Sequence, residues 1–186
     1  MPARGFSFNL EGPLDMRMSP DLKVTAADLV NGLNEGELNE LFCKLGEEIY
    51  SRRIAKAICR ARELGQIITT NQLVKIILTA CPRQVKFDHI HPATRCFQAL
   101  RIAVNDELNN LKIALPQAIS LLQTKGRLLV ISFHSGEDKI VKNFMKDNEK
   151  QRVLTIINKD LIRPTAQEVS ENPRSRSARL RVAQKI

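Results

Sequence analysis

Tryptophan is absent from this chain, tyrosine occurs once, and aromatic residues make up 4% of its 186 positions. That excludes a binder built on rows of stacking rings. The core must be aliphatic, and the 43% apolar content is enough for one. Long apolar runs are missing too. Leu128-Leu129-Val130-Ile131 is far shorter than the roughly 20 residues of a membrane-spanning helix. Glycine occurs only 8 times, and no Gly-x-Gly pattern follows a strand-like run, so no dinucleotide-type loop can be read. Cys43, Cys59, Cys81 and Cys96 form no Cys-x-x-Cys pair; their wide spacing predicts reduced thiols and a reducing compartment. His89-x-His91 has no Cys or carboxylate set near it beyond Asp88, so no metal site is expected. The start, Met1-Pro2-Ala3-Arg4-Gly5, is soon followed by Glu11 and Asp15 and does not read as a presequence.

What the chain does have is positive charge. Its 29 Lys and Arg against 20 Asp and Glu give a net charge of +9, which favours an anionic partner, RNA rather than a membrane. Residues 1–24 read as a loop punctuated by Gly5, Gly12, Pro13 and Pro20. Thr25-x-x-Asp28 and Asn34-x-x-Glu37 are capping-box starts, with Gly46 as the expected stop of the second helix. A helix is expected over about 47–64. Its inner stripe is Ile54, Ile58 and Ala61, and its basic face carries Arg52, Lys56 and Arg60 with Arg53 alongside. That face is either solvated or tracks phosphates. Thr69 or Thr70 caps the next helix, which ends before Pro82.

The stretch from His91 to Leu108 reads as a helix with two stripes. Ala93, Phe97, Leu100 and Val104 are spaced for the core. Thr94, Gln98, Arg101 and Asn105 follow one residue later, with Arg95 beside them. Amides, a hydroxyl and guanidiniums either recognise phosphates and base edges or fix a buried network. Pro116 is expected to break the helical pattern. Then the period changes. Arg127–Ser132 reads as a strand apolar enough to be buried on both faces. Ser135 reads as a helix N-cap, and strands are expected at Val153–Ile157 and Leu180–Ala183. The layout is α/β. Ligands of open α/β sheets sit at strand carboxyl ends, which singles out His134 either as a proton-exchanging or base-binding group or as a satisfied loop histidine. Arg174, Arg176, Arg179 and Arg181 either contact phosphate or keep an edge strand soluble.

Several of these segments also carry a resemblance. His91-Pro92-Ala93-Thr94-Arg95 through Asn105-Asp106-Glu107-Leu108 resembles the signature of the ribosomal small-subunit RNA cytosine-N4-methyltransferases of MraW or RsmH type. Arg4-Gly5-Phe6-Ser7-Phe8, Gly12-Pro13-Leu14-Asp15-Met16-Arg17-Met18, Thr25-Ala26-Ala27-Asp28, Ser51-Arg52-Arg53-Ile54-Ala55, Ile131-Ser132-Phe133-His134-Ser135 and Asn172-Pro173-Arg174-Ser175-Arg176-Ser177-Ala178 follow in family order. Gly136 stands where the family usually has a larger apolar residue.

The resemblance implies the C-terminal part of a class I, Rossmann-like methyltransferase sheet with an inserted all-helical subdomain. The expected parts are a loop segment, 1–24, packing on the catalytic domain; an RNA-recognition subdomain, 25–122; and remaining strands and helices, 123–186. It implies S-adenosylmethionine as cofactor and small-subunit ribosomal RNA, or the small subunit itself, as partner. The compartment would be the mitochondrial matrix in a eukaryote and the cytoplasm otherwise. Asp15 and His134 are the catalytic candidates. Arg17, Arg53, Arg95, Gln98, Arg101, Asn105, Ser135, Arg174 and Arg176 are the substrate-binding ones. The family's glycine-rich cofactor loop is not among these residues. The expectation is a truncated enzyme, inactive alone and retaining no cofactor contacts; the alternative is a non-catalytic RNA- or ribosome-binding remnant.

Overall fold

Helix starts in this chain are written in local capping chemistry. Thr25, Asn34 and Thr69 each accept from the backbone N–H three residues on, and Asp28, Glu37 and Gln72 reach back to the cap backbone. These boxes open α1 (Ala26–Gly32), α2 (Glu35–Gly46) and α4 (Thr70–Ala80), satisfying N–H groups that a helix cannot satisfy itself. The computed structural model describes residues 4–82 and 91–186. Arg83, Lys86, and the His89 of the ligand-like pair lie outside the described residues. Contacts divide the chain into two compact units, Met1–Glu107 and Leu108–Ile186.

The first unit is helical: α1, α2, α3 (Ser51–Leu64), α4 and α5 (Ala93–Asn105). Phe42, Leu38, Ile54, Ile58, Leu73, Ile77 and Leu100 form its core. α3 begins at Ser51, later than expected, because Glu47 takes a left-handed conformation after α2 (φ 51°) and the Glu48 carboxylate accepts the Tyr50 N–H at 2.8 Å. Gly46 is the last residue of α2, and the left-handed turn falls on Glu47. What requires a glycine at 46 is close approach: a Cβ there would stand 2.6 Å from the Arg95 carbonyl oxygen of α5.

Residues 4–24, expected to pack on a catalytic domain, belong to this helical unit. Leu14 and Met16 are buried in its core, each contributing about 1.5–3 kcal/mol. The Leu14 N–H donates to the Ile68 carbonyl, and the Ala26 and Ala27 N–H groups donate to the Asp15 and Leu14 carbonyls. Phe8 stacks on His91 at 4.7 Å and meets Phe97 edge-on.

The second unit holds most of α6 (Glu107–Leu121), then β1 (Arg127–Ser132), α7 (Ser135–Lys150), β2 (Leu154–Ile156), α8 (Ala166–Glu171), a 3-10 turn (Pro173–Ser177) and β3 (Arg179–Lys185). Leu115 and Ile119 of α6 pack with the sheet core, so α6 from Leu108 onward belongs to this compact unit. α6 also runs through Pro116 without a break; the proline removes one N–H but points to an exposed face.

The sheet order is β1-β3-β2, with β3 antiparallel to both neighbours. β1 and β2 are thus parallel to each other, with α7 between them in sequence. Leu128, Leu154 and Ala183 face Val141 and Met145 of α7. β1 is buried on one face only, contrary to expectation: Leu129 and Ile131 are 59% and 58% exposed. Leu129 pairs with Val182 and Ile131 with Leu180, so these four share the outer face, which no described element of the unit covers as α7 covers the inner one. Lys185 of β3 donates its Nζ to the Ile119 and Leu122 carbonyls at 3.0 and 2.7 Å, closing the C-terminus of α6.

Candidate functional site

In the first unit, the loop Asp15–Met18 meets α5. Met16 is left-handed (φ 61°), a conformation that costs a non-glycine residue about 1–2 kcal/mol. It turns the chain so that Arg17 folds back on Asp15. The Arg17 Nε and Nη2 donate to the two Asp15 oxygens, both at 2.8 Å, and the Arg17 N–H donates to Oδ1 at 3.0 Å. Arg17 Nη1 donates to the Leu22 carbonyl. The Arg17 hydrogen bond holds the Asp15 carboxyl below its ordinary range, against the opposing effect of burial. Asp15 is therefore an anchor for Arg17, with both oxygens engaged.

The polar stripe of α5 divides in two. Asn105 is buried, and its amide is spent on the loop. Oδ1 accepts the Met18 N–H at 2.7 Å, and Nδ2 donates to the Met16 and Arg101 carbonyls at 2.8 and 2.9 Å. Arg101 grips Glu107 through Nε and Nη2 at 2.7 and 2.9 Å. Those two residues form a fixed network. Thr94, Gln98 and Arg95 stay partly exposed, and Arg95 donates to the Glu47 carbonyl at 3.3 Å. The loop and α5 thus bring together Asp15, Arg17, Arg101 and Asn105. Arg53 stands apart, exposed on α3.

In the second unit, β1 ends at Ser132 and the helix cap that follows is His134, not Ser135 as expected. His134 Nδ1 accepts the Glu137 N–H at 3.3 Å, while Glu137 Oε2 accepts the Phe133 and His134 N–H groups at 2.8 and 3.3 Å. Nδ1 acting as acceptor leaves the proton on Nε2, which lies 3.4 Å from Glu137 Oε1, buried and, among the described residues, without a hydrogen bond. Burial works to raise the Glu137 carboxyl; the bonds from His134 and Phe133 overcome it, and the net shift is downward. A Cβ on Gly136 would sit 3.2 Å from His134 Nδ1, so the missing side chain leaves room for the capping ring. Arg174 and Arg176 are exposed on the 3-10 turn.

Asp138 was missed by sequence reasoning. Its carboxylate takes Arg181 Nε at 2.6 Å and Nη2 at 3.0 Å, with Arg179 at 3.7 Å. The Arg181 bond, first of all, pulls its titration down. Only the placement of β3 beside β1 reveals this pair. Asn158, after β2, is similarly occupied: its amide donates to the Asp160 and Leu180 carbonyls and accepts the Val182 N–H.

The chain thus holds an α/β unit with a capped strand end and a helical unit with a pinned polar loop. The family model described as the MraW methylase family matches residues 1–186, and the chain belongs to that family. It is similar to proteins named ribosomal RNA small subunit methyltransferase H. It is 49% identical over 197 residues to that of Dehalococcoides mccartyi, covering 98% of this chain and 55% of the relative. It is 49% identical over 183 residues to that of Coprothermobacter proteolyticus (98% and 60%). It is 46% identical over 197 residues to that of Nitrosococcus oceani (98% and 62%). The chain therefore spans somewhat more than half the length of these relatives.

Proposed function

We propose that this chain is the RNA-facing and sheet-closing part of an enzyme that methylates N4 of a cytosine in small-subunit ribosomal RNA. The carrying observation is the match over residues 1–186 to a methylase family whose relatives are named for that ribosomal RNA. The open side of the sheet supports it. β1 lies at one edge of the order β1-β3-β2, and Leu129, Ile131 and the following Phe133 present apolar surface. On this reading the rest of a class I methyltransferase sheet continues from β1.

The described residues do not fit S-adenosylmethionine by themselves. The turn after β1 is filled by the His134–Glu137 cap, and the turn after β2 by the spent amide of Asn158. When bound, the cofactor supplies the electrophilic methyl group. This chain's share is positioning, which is much of what transfer to an exocyclic amine requires. Arg17, held by Asp15, and Gln98 and Arg95 on α5 are the substrate-side groups. Arg174 and Arg176 contact phosphates. Asn105, Arg101 and His134 position backbone. The target base must leave its stack to be reached.

Two measurements test this. Calorimetric titration of the folded chain with S-adenosylmethionine should show no micromolar binding; such binding would overturn the division of labour. Fusing the chain behind the remaining part of the Coprothermobacter relative should restore methyl incorporation at a cytosine of small ribosomal subunits. A folded fusion that binds the cofactor but transfers no methyl group would sink the assignment.

A further inference from the structure

α3 and α4 leave a groove of about 590 Å³ between them. Its floor is aliphatic, built from Ala57, Ala61, Ile76 and Ala80, and Leu64 stands at one end with 94% of its surface exposed. Its rim is cationic on both walls: Arg53, Lys56 and Arg60 from α3 and Lys75 from α4, with no carboxylate among the lining residues. Arg53, Lys56 and Arg60 follow an i, i+3, i+7 spacing and share one helix face. The buried or half-buried cations Arg17, Arg101 and Arg181 are tied to carboxylates, to Asp15, Glu107 and Asp138. Among the described residues, these four rim cations make no ion pair.

The groove asks for two chemistries at once. A merely solvated basic face needs no bare aliphatic trough beneath it. RNA supplies phosphates for the rim but no aliphatic ridge for the floor, and no lining residue is aromatic, so an unstacked base finds no ring. An amphipathic helix supplies both, with an apolar stripe for the trough and acidic flanks for the two cationic walls. From Arg53 to Leu64 the trough runs about 16 Å at 1.5 Å per residue, roughly three helical turns. We propose that the α3–α4 groove is a docking site for an acidic amphipathic helix of a protein partner. The stripe containing Arg53, expected to track RNA phosphates, then belongs to a protein interface.

The test is fluorescence anisotropy with the whole chain and a labelled helix-forming peptide of about four turns, its leucines on one face and Glu and Asp elsewhere. Controls are a scrambled peptide of the same composition and a uridine oligonucleotide. Lys56→Glu with Arg60→Glu should weaken peptide binding about tenfold or more through charge reversal. Leu64→Asp should weaken it about tenfold by removing apolar contact. All three positions are exposed, so circular dichroism should be unchanged. Equal binding of the scrambled peptide would overturn the proposal. So would indifference to Leu64→Asp, or a uridine oligonucleotide that outcompetes the peptide. None of these results bears on methyl transfer, so this proposal and the methyltransferase reading fail separately.

Discussion

Arg181 of β3 holds both oxygens of Asp138, at 2.6 and 3.0 Å, and so fastens the first turn of α7 to the middle strand of the sheet. Both side chains are largely buried, with 13% and 11% exposed. Removing one partner of such a pair strands the other charge away from water. Asp138→Asn is therefore expected to lower unfolding stability by about 3 kcal/mol, measured by urea denaturation. Replacing both residues with apolar ones of similar volume should cost much less. A single-variant loss near zero would mean that the pair is solvated in solution.

Acid should unfold the chain through the same carboxylates. Asp138 and Asp15 titrate below their ordinary value of 3.8, in each case first because of an arginine hydrogen bond. A carboxyl depressed in the folded state contributes stability that is complete above its unfolded pKa and lost as pH falls through the folded one. Stability should thus be flat above about pH 5 and decline below about pH 4. In Asp138→Asn the decline should be shallower, which denaturation midpoints across that range will show.

Asn105 should tolerate no replacement that changes its hydrogen-bonding pattern. Asn105→Ala leaves the Met18 N–H and the Met16 carbonyl without their partner, at a cost of about 2–3 kcal/mol. Asn105→Asp keeps the acceptor for Met18 but sets a carboxylate oxygen against the Met16 and Arg101 carbonyls. It should be the worse variant at neutral pH and recover partly in mild acid, when protonation restores a donor. Thermal melts at two pH values separate the cases.

The outer face of β1 makes an opposite prediction. Leu129→Lys and Ile131→Lys should change stability by no more than about 0.5 kcal/mol, because these positions are exposed. They should also reduce self-association, since charge on an edge strand blocks strand addition. Light scattering at rising concentration measures this. A large stability loss would show that the face is covered.

Local features of this fold were readable in the sequence; those depending on distant neighbours were not. The caps at Thr25 and Asn34 and the core stripe of Ala93, Phe97, Leu100 and Val104 follow from spacing of three or four residues, and the structure shows each. The polar stripe of α5 was ambiguous for a physical reason. An amide that reads RNA and one that pins a loop have the same periodicity, and only the return of residues 16–18 onto Asn105 decides between them. Ser135 looked like the cap because serine usually is one. His134 takes the role because its Nδ1 reaches the same N–H and Gly136 leaves the ring room. The alternation of β1 was hidden by its composition, since a strand of Leu, Val and Ile reads alike whether one or both faces are covered.

The strand order also sets a clock. Among the described residues β1 and β2 do not pair with each other; each pairs with β3, the last of the three to be synthesised. Ser132 meets Arg179 across 47 positions of chain. At roughly 5–20 residues per second, β1 waits several seconds on the ribosome for its β3 partner. During that interval Leu128, Leu129, Val130 and Ile131 form a bare apolar segment, and the C-terminus of α6 lacks the lysine that closes it. The second unit is thus assembled from its end backwards, and its period of greatest exposure to chaperones and to aggregation falls during translation.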